Sequence, residues 1–246
     1  MKRMIEICCG SYEDALAAYR GGAKRVELNS ALHLGGLTPS VASLILTKKN
    51  TDLKVIAMVR PRGAGFHYSD ADFDTMKLDT ELMMKNGADG IAFGCLDERG
   101  NIEKEKNREI IEIINKYDGE AVFHRAFDCV RDPYESIEML ISMGVDRILT
   151  SGLKPKAILG LSLITDLQKK YGDRIEILAG SGINASNAKE VMDRAGISQV
   201  HSSCKGWVCD PTTTGEEVTY AYAPKPHIKD YEIVDEKIVK ELIESL

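Results

Sequence analysis

Between Phe123 and Asp128 the chain reads Phe123-His124-Arg125-Ala126-Phe127-Asp128, where an apolar run starting near Glu120 delivers three ionisable side chains within five residues. An imidazole, a guanidinium and a carboxylate at a strand end can move a proton, hold an anion or pair with one another. Alternation along an extended strand sets Val122 and His124 on one face and Phe123 and Arg125 on the other, with Asp128 just past the end. Loops after strand ends carry chemistry when a rigid sheet holds them. A plain capping role, with Arg125 paired to Asp128, accounts for the hexapeptide alone. The rest of the chain adds to it.

Two further carboxylates stand in strand-like sequence. Ile5-Glu6-Ile7-Cys8 and Val26-Glu27-Leu28-Asn29 place Glu6 with Cys8, and Glu27 with Asn29, opposite the apolar residues. If these strands belong to a parallel barrel, the apolar side meets the helices and both acids point into the lumen near its C-terminal mouth. Two buried carboxylates require an answer, in the form of a cation, an arginine or a proton held by a raised pKa. Arg25, Arg60, Arg62 and Arg125 can supply the charge, and His124 and His201 stand at the ends of the fifth and eighth strands. A third group lies at the Gly-rich turn Ala179-Gly180-Ser181-Gly182, which offers backbone N–H groups to an anion, with Ser202 and Ser203 beyond it and Thr150 and Ser151 on the preceding strand end.

Positioning such a set calls for a repeated scaffold. Strands are expected at Met4–Cys8, Ala23–Asn29, Lys54–Arg60, Gly90–Gly94, Glu120–Arg125, Arg147–Thr150, Ile175–Ala179 and Gln199–Ser202. Helices are expected between them, from Ser11 to Gly21, to Asn50, over Ser69–Asn86, Glu103–Tyr117, Pro133–Met143, Pro155–Tyr171 and Asn184–Ala195. The segments beginning at Gly22, Gly87, Gly144 and Gly196 share one form, a helix stop feeding an even-numbered strand, and each spacing holds two βα units. Eight units predict a TIM (β/α)8 barrel, read as one domain over 1–246. The first βα turn, Cys8-Cys9-Gly10-Ser11, lacks the dinucleotide fingerprint of a doubly wound sheet. A Gly-, Thr- and Pro-rich excursion over about 205–230 precedes a last amphipathic helix from Asp235 to Leu246.

Composition narrows the partners. The 246 residues carry 32 Lys plus Arg against 38 Asp plus Glu, a net charge of −6 without a basic block, so nucleic acid is not an expected partner. Glu6 interrupts the apolar start, no run is long enough for a membrane span, and the expected compartment is the cytoplasm. Six cysteines without a Cys-x-x-Cys pair read as free thiols there. Met83-Met84 reads as core, and His33, His67 and His227 as solvated loop residues. Cys204 and Cys209, flanking Trp207, have no matched ligands nearby.

Taken together, Glu6-Ile7-Cys8-Cys9, Arg25-Val26-Glu27-Leu28, Gly35-Gly36-Leu37-Thr38-Pro39-Ser40, Arg60-Pro61-Arg62, the 123–128 hexapeptide, Leu149-Thr150-Ser151-Gly152 and His201-Ser202-Ser203 resemble the CutC family over about residues 4–203. The resemblance implies a cytoplasmic TIM barrel, often a homo-oligomer, with a role in copper homeostasis. Copper as Cu(I) takes soft sulfur with help from imidazole, and Cys8 is the matching thiol. Family members commonly carry a second Cys directly after the Glu-Leu of strand two, where this chain has Asn29. A second reading is a barrel enzyme for a small anionic or polyhydroxylated substrate. In it Glu6, Glu27, His124, Asp128 and His201 do acid–base work, or Glu6, Glu27, His124 and His201 hold a divalent ion. Arg60, Arg62, Arg125, Thr150, Ser151, Gly180, Ser181, Gly182 and Ser202 then bind substrate.

Overall fold

Eight short strands, none longer than six residues, close on themselves in the computed structural model, which describes residues 3–246. They are β1 (Met4–Cys9), β2 (Arg25–Leu28), β3 (Lys54–Met58), β4 (Gly90–Phe93), β5 (Glu120–Phe123), β6 (Arg147–Thr150), β7 (Glu176–Gly180) and β8 (Gln199–Ser202). Each pairs in parallel with the next, and β8 returns to β1, which makes the predicted TIM barrel. The helices between them are α1 (Tyr12–Arg20), α2 (Val41–Asn50), α3 (Asp70–Lys85), α4 (Lys104–Asn115), α5 (Pro133–Ser142), α6 (Leu161–Tyr171) and α7 (Ala188–Ala195). Their starts follow local chemistry: Ser11, Ser40 and Ser69 accept from backbone N–H groups of the first turn, and Asp132 does so ahead of Pro133. No helix among the described residues is long and apolar enough to cross a membrane.

The main apolar core lies between barrel and helices and includes Met83 and Met84. A separate cluster of Ile56, Met58, Ala92 and Val122 fills the lumen on the β3–β5 side. Alternation and register stack the inward residues in layers. Arg25, Gly90, Arg147 and Gln199 form the lowest even-strand layer. Glu6, Ile56, Val122 and Leu178 follow from the odd strands, then Glu27, Ala92, Leu149 and His201, and finally Cys8, Met58, His124 and Gly180. The repeated Gly-initiated segments therefore deliver equivalent inward positions, Arg25, Gly90, Arg147 and Gln199, to one level of the barrel.

Several boundaries differ from the sequence expectation, and three of the differences shape the loops around the mouth. β5 stops at Phe123, because His124 Nδ1 accepts from Ala126 N and turns the chain into a 3-10 helix over Arg125–Cys129. Arg125 is thus not on the strand. β3 stops at Met58, although Val59 N still reaches Ala92 O. The helix expected from Pro155 is a 3-10 turn at Ala157–Leu159 followed by α6. The excursion after β8 contains an antiparallel ribbon of β9 (Lys205–Cys209) and β10 (Asp230–Val234), and then α8 (Glu236–Glu244) packs against α1.

Candidate metal and ligand site at the barrel mouth

The register puts Glu6 beside both Arg25 and His201, and Cys8 beside Glu27. Glu6 is fully enclosed. Arg25 Nε lies 2.6 Å from its Oε2, Arg147 Nη1 3.9 Å away, and His201 Nδ1 3.0 Å from Oε1. Burial alone would raise its pKa, but Arg25, His201 and Arg147 outweigh burial and hold the carboxyl down at about 2. Arg147 carries the same network to Glu120 and Glu176 at 2.9 and 2.8 Å. Glu6 therefore sits one layer beneath the open cavity, within an ion-paired floor. The sequence-level placement of Glu6 at the mouth itself is corrected by this layer.

Above it, three donors converge. Cys8 Sγ lies 3.7 Å from Glu27 Oε2, His201 Nε2 lies 3.8 Å from the same oxygen, and one donor atom from each residue falls within 4.8 Å of the others. Burial pushes the Glu27 carboxyl up, against the pull of His201, and pushes the Cys8 thiol up to about 12. Burial disfavours a charged His201, yet Glu27, Cys8 and Glu6 raise its pKa well above the ordinary value. Asn29 Nδ2 donates to Glu27 Oε2 at 3.0 Å and approaches Cys8 Sγ at 3.5 Å, which ties the second-strand amide to both groups. The other thiols lie elsewhere: Cys9, Cys95 and Cys204 are buried in the main core, and Cys129 lines the far rim. Cys209 is exposed at the opposite end of β9 from Cys204.

The cavity that these donors border has a volume of about 510 Å³. Its opposite wall carries Arg60, Phe66, His124, Arg125 and Asp128, and Ser181, Gly182 and Ser202 border it near β8. His124 is buried and does not join the metal-ligand cluster, so its grouping with Glu27 and His201 around one divalent ion is corrected by the geometry. Burial and the Arg60 charge press its pKa down to about 3, which keeps the ring neutral. Asp128 is saturated: it accepts from Thr150 Oγ1, Ser151 N, Ser151 Oγ, Leu153 N and Arg125 Nε. That clamp joins the β5 and β6 loops, with Thr150 and Ser151 serving it as donors. Arg62 points away from the cavity, bound to Asp72 at 3.0 Å and stacked on Tyr68. Ser202 Oγ donates to Ile183 O and Ser181 Oγ to Pro155 O, so both hydroxyls hold loops. Gly180 is buried at the end of β7 outside the cavity lining, while Ser181 and Gly182 both adopt positive φ.

Sequence reasoning missed Arg147, Phe66, Lys205 and Glu232. Arg147 had a signal, since it occupies the place of Arg25 in the repeated segments. Lys205 and Glu232 come from β9 and β10, where alternation was obscured by the surrounding loop composition.

A closed (β/α)8 barrel with a Cys–Glu–His cluster at the mouth, its Glu and His buried and its Cys half-buried, defines the class. The CutC family model matches residues 3–206, and the chain belongs to this family. A CutC family protein of Treponema denticola is 45% identical over 92% of both chains. A human protein named copper homeostasis protein cutC homolog is 40% identical over 82% of this chain and 73% of its own. A solved CutC structure from Streptococcus agalactiae superposes with a TM-score of 0.77 at 28% identity, covering 82% of this chain and 98% of that one. N-(5'-phosphoribosyl)anthranilate isomerase from Pyrococcus furiosus, at 16% identity and a TM-score of 0.57 over 99% and 98% of the two chains, shares the fold.

Proposed function

We propose that this protein takes part in copper homeostasis in the cytoplasm by holding one Cu(I) ion between Cys8 Sγ and His201 Nε2, with Glu27 closing the third side. The observation that carries the reading is the convergence of these three donors in an enclosed mouth. Spacings of 3.7 and 3.8 Å suit atoms bound about 2.0 to 2.3 Å from a common centre. The thiol and imidazole are soft and borderline donors, the types that select Cu(I) over hard cations. Glu6 supports the set from below by fixing Nδ1 of His201, which leaves Nε2 for the ion. Loading requires Cys8 as thiolate and His201 unprotonated at Nε2, so uptake displaces protons from the cluster.

The test is a Cu(I) titration of reduced, metal-free protein against a competing chelator, with Zn²⁺, Mn²⁺ and Mg²⁺ in parallel. One equivalent of Cu(I) bound by the wild type, and weakened at least a hundredfold in Cys8→Ala, is the expected result. Equal Cu(I) affinity in Cys8→Ala, or preferential binding of a harder ion, overturns it.

A further inference from the structure

The cavity is far larger than a metal ion, and its charges do not balance locally. Four cationic side chains line it: Arg60, Arg125, His201 and Lys205. Arg125 pairs with Asp128 at 2.8 Å, Lys205 with Glu232 at 2.7 Å, and His201 lies between Glu6 at 3.0 Å and Glu27 at 3.8 Å. Arg60, only 5% exposed, has no carboxylate partner among the described residues. Its guanidinium is instead fixed by backbone carbonyls, Nη1 donating to Leu34 O and Gly36 O and Nη2 to Ala64 O, and it lies over the Phe66 ring. Carbonyl dipoles orient a guanidinium without neutralising it, and an uncompensated buried charge is costly.

Arg60 Nε is buried without an acceptor. His124 Nδ1 accepts from Ala126 N, which places the ring proton on Nε2, and Nε2 is also buried without a partner. Both side chains pack on Phe66, at 5.1 Å for the guanidinium carbon and 5.0 Å between rings. Two donors without a hydrogen-bond partner and one positive charge without a carboxylate thus share a wall whose nearest protein oxygen, the buried Tyr68 hydroxyl, is neutral and itself unpartnered. Leu32, Met58, Leu149 and Ile183 make the remaining surface apolar.

We infer that this half of the cavity is a subsite for a small organic anion, with a carboxylate or phosphate group at Arg60 and His124 and a short carbon body against Met58, Leu149 and Ile183. A planar or tetrahedral oxyanion answers both donors and the charge together. Its donors come from the ends of β3 and β5, held by the loops after β2 and β3, and its apolar surface from β3, β6 and the loop after β7. The Cys8–Glu27–His201 cluster comes from β1, β2 and β8, so the two can be emptied independently.

The experiment is thermal unfolding of chelator-treated, metal-free protein titrated with sodium succinate and, separately, sodium phosphate, at constant ionic strength, with glycerol as the neutral probe. A saturable rise in Tm with at least one anion, half-complete at about 1 mM or below, and no rise with glycerol is expected. His124→Leu and Arg60→Lys each shift half-saturation upward at least tenfold, whereas Arg62→Gln, outside the cavity, does not. Arg60→Lys is used because it retains the charge while removing the fork, and His124→Leu leaves the Arg60 loop contacts in place. Absence of a saturable response to both anions, or unchanged half-saturation in both cavity variants, overturns the inference. Because no metal is present, that outcome leaves the copper reading untouched.

Discussion

His201 Nδ1 and Glu6 Oε1 lie 3.0 Å apart inside the barrel, and this contact aims the other ring nitrogen at Glu27 and Cys8. Glu6 acts on the mouth through an intermediary, since it borders no open space itself. Its own charge is secured from below by Arg25 and Arg147. The site is therefore built on the same ion pairs that hold the barrel floor.

Replacing Glu6 by Gln separates these roles. The amide can still bond His201, but it no longer offsets Arg25 and Arg147. Cu(I) affinity is expected to fall roughly 10- to 100-fold, and urea unfolding to show a loss of about 3 kcal/mol from the uncompensated buried charge. A chelator competition and an unfolding curve on one preparation read both effects.

Arg147 bridges Glu120, Glu176 and Glu6 while almost wholly buried. Arg147→Met is expected to cost about 3 kcal/mol in urea unfolding. Arg174, paired with Glu138 on the surface, serves as the comparison, and Arg174→Met is expected to change stability by less than about 1 kcal/mol.

His124 makes the fold acid-sensitive. Its pKa is about 3 in the folded chain against an ordinary 6.5, so below pH 6.5 the unfolded chain takes up a proton that the folded one refuses. Stability from this residue is intact above pH 6.5 and declines as the pH drops toward 3, by about 1.4 kcal/mol per pH unit at most. His124→Asn keeps an acceptor for Ala126 N. It is expected to reduce the stability difference between pH 7 and pH 5 by about 2 kcal/mol, measured by urea unfolding at the two pH values.

Gly94 backs the same ring. A Cβ there would meet His124 Cε1 at 2.8 Å and Ala126 Cβ at 2.9 Å. Gly94→Ala is expected to lower stability by about 1 to 3 kcal/mol and to blunt the anion response in thermal unfolding, because the ring must move.

Much of this was legible because strand alternation is local. Glu6 with Cys8, Glu27 with Asn29, and Val122 with His124 each occupy the inward face that period-two spacing assigns. Height in the barrel was not legible, since it depends on the stagger between strands, and that stagger sinks Glu6 below the cavity. Hydrogen-bond saturation also escaped sequence reading: Asp128 looks like a base in the hexapeptide, but donors from the β6 loop occupy both oxygens. Arg62 shares its motif with Arg60, yet the turn between them sends the two guanidinium groups to different surroundings.

The barrel receives its last helix by a detour. The family match ends at residue 206, but α8, which packs on α1, begins at Glu236 after the ribbon of β9 and β10. Val234 N donates to buried Asp14 Oδ1, so the detour is pinned where it rejoins the barrel. Lengthening a tethered loop adds little closure entropy, about 0.6 kcal/mol per doubling. The tip of the ribbon can accordingly diverge in length and sequence at small thermodynamic expense, while its base, with Lys205 and Glu232, edges the cavity. Evolution can thus retune what the mouth admits in a stretch of chain separate from the one that keeps the barrel shut.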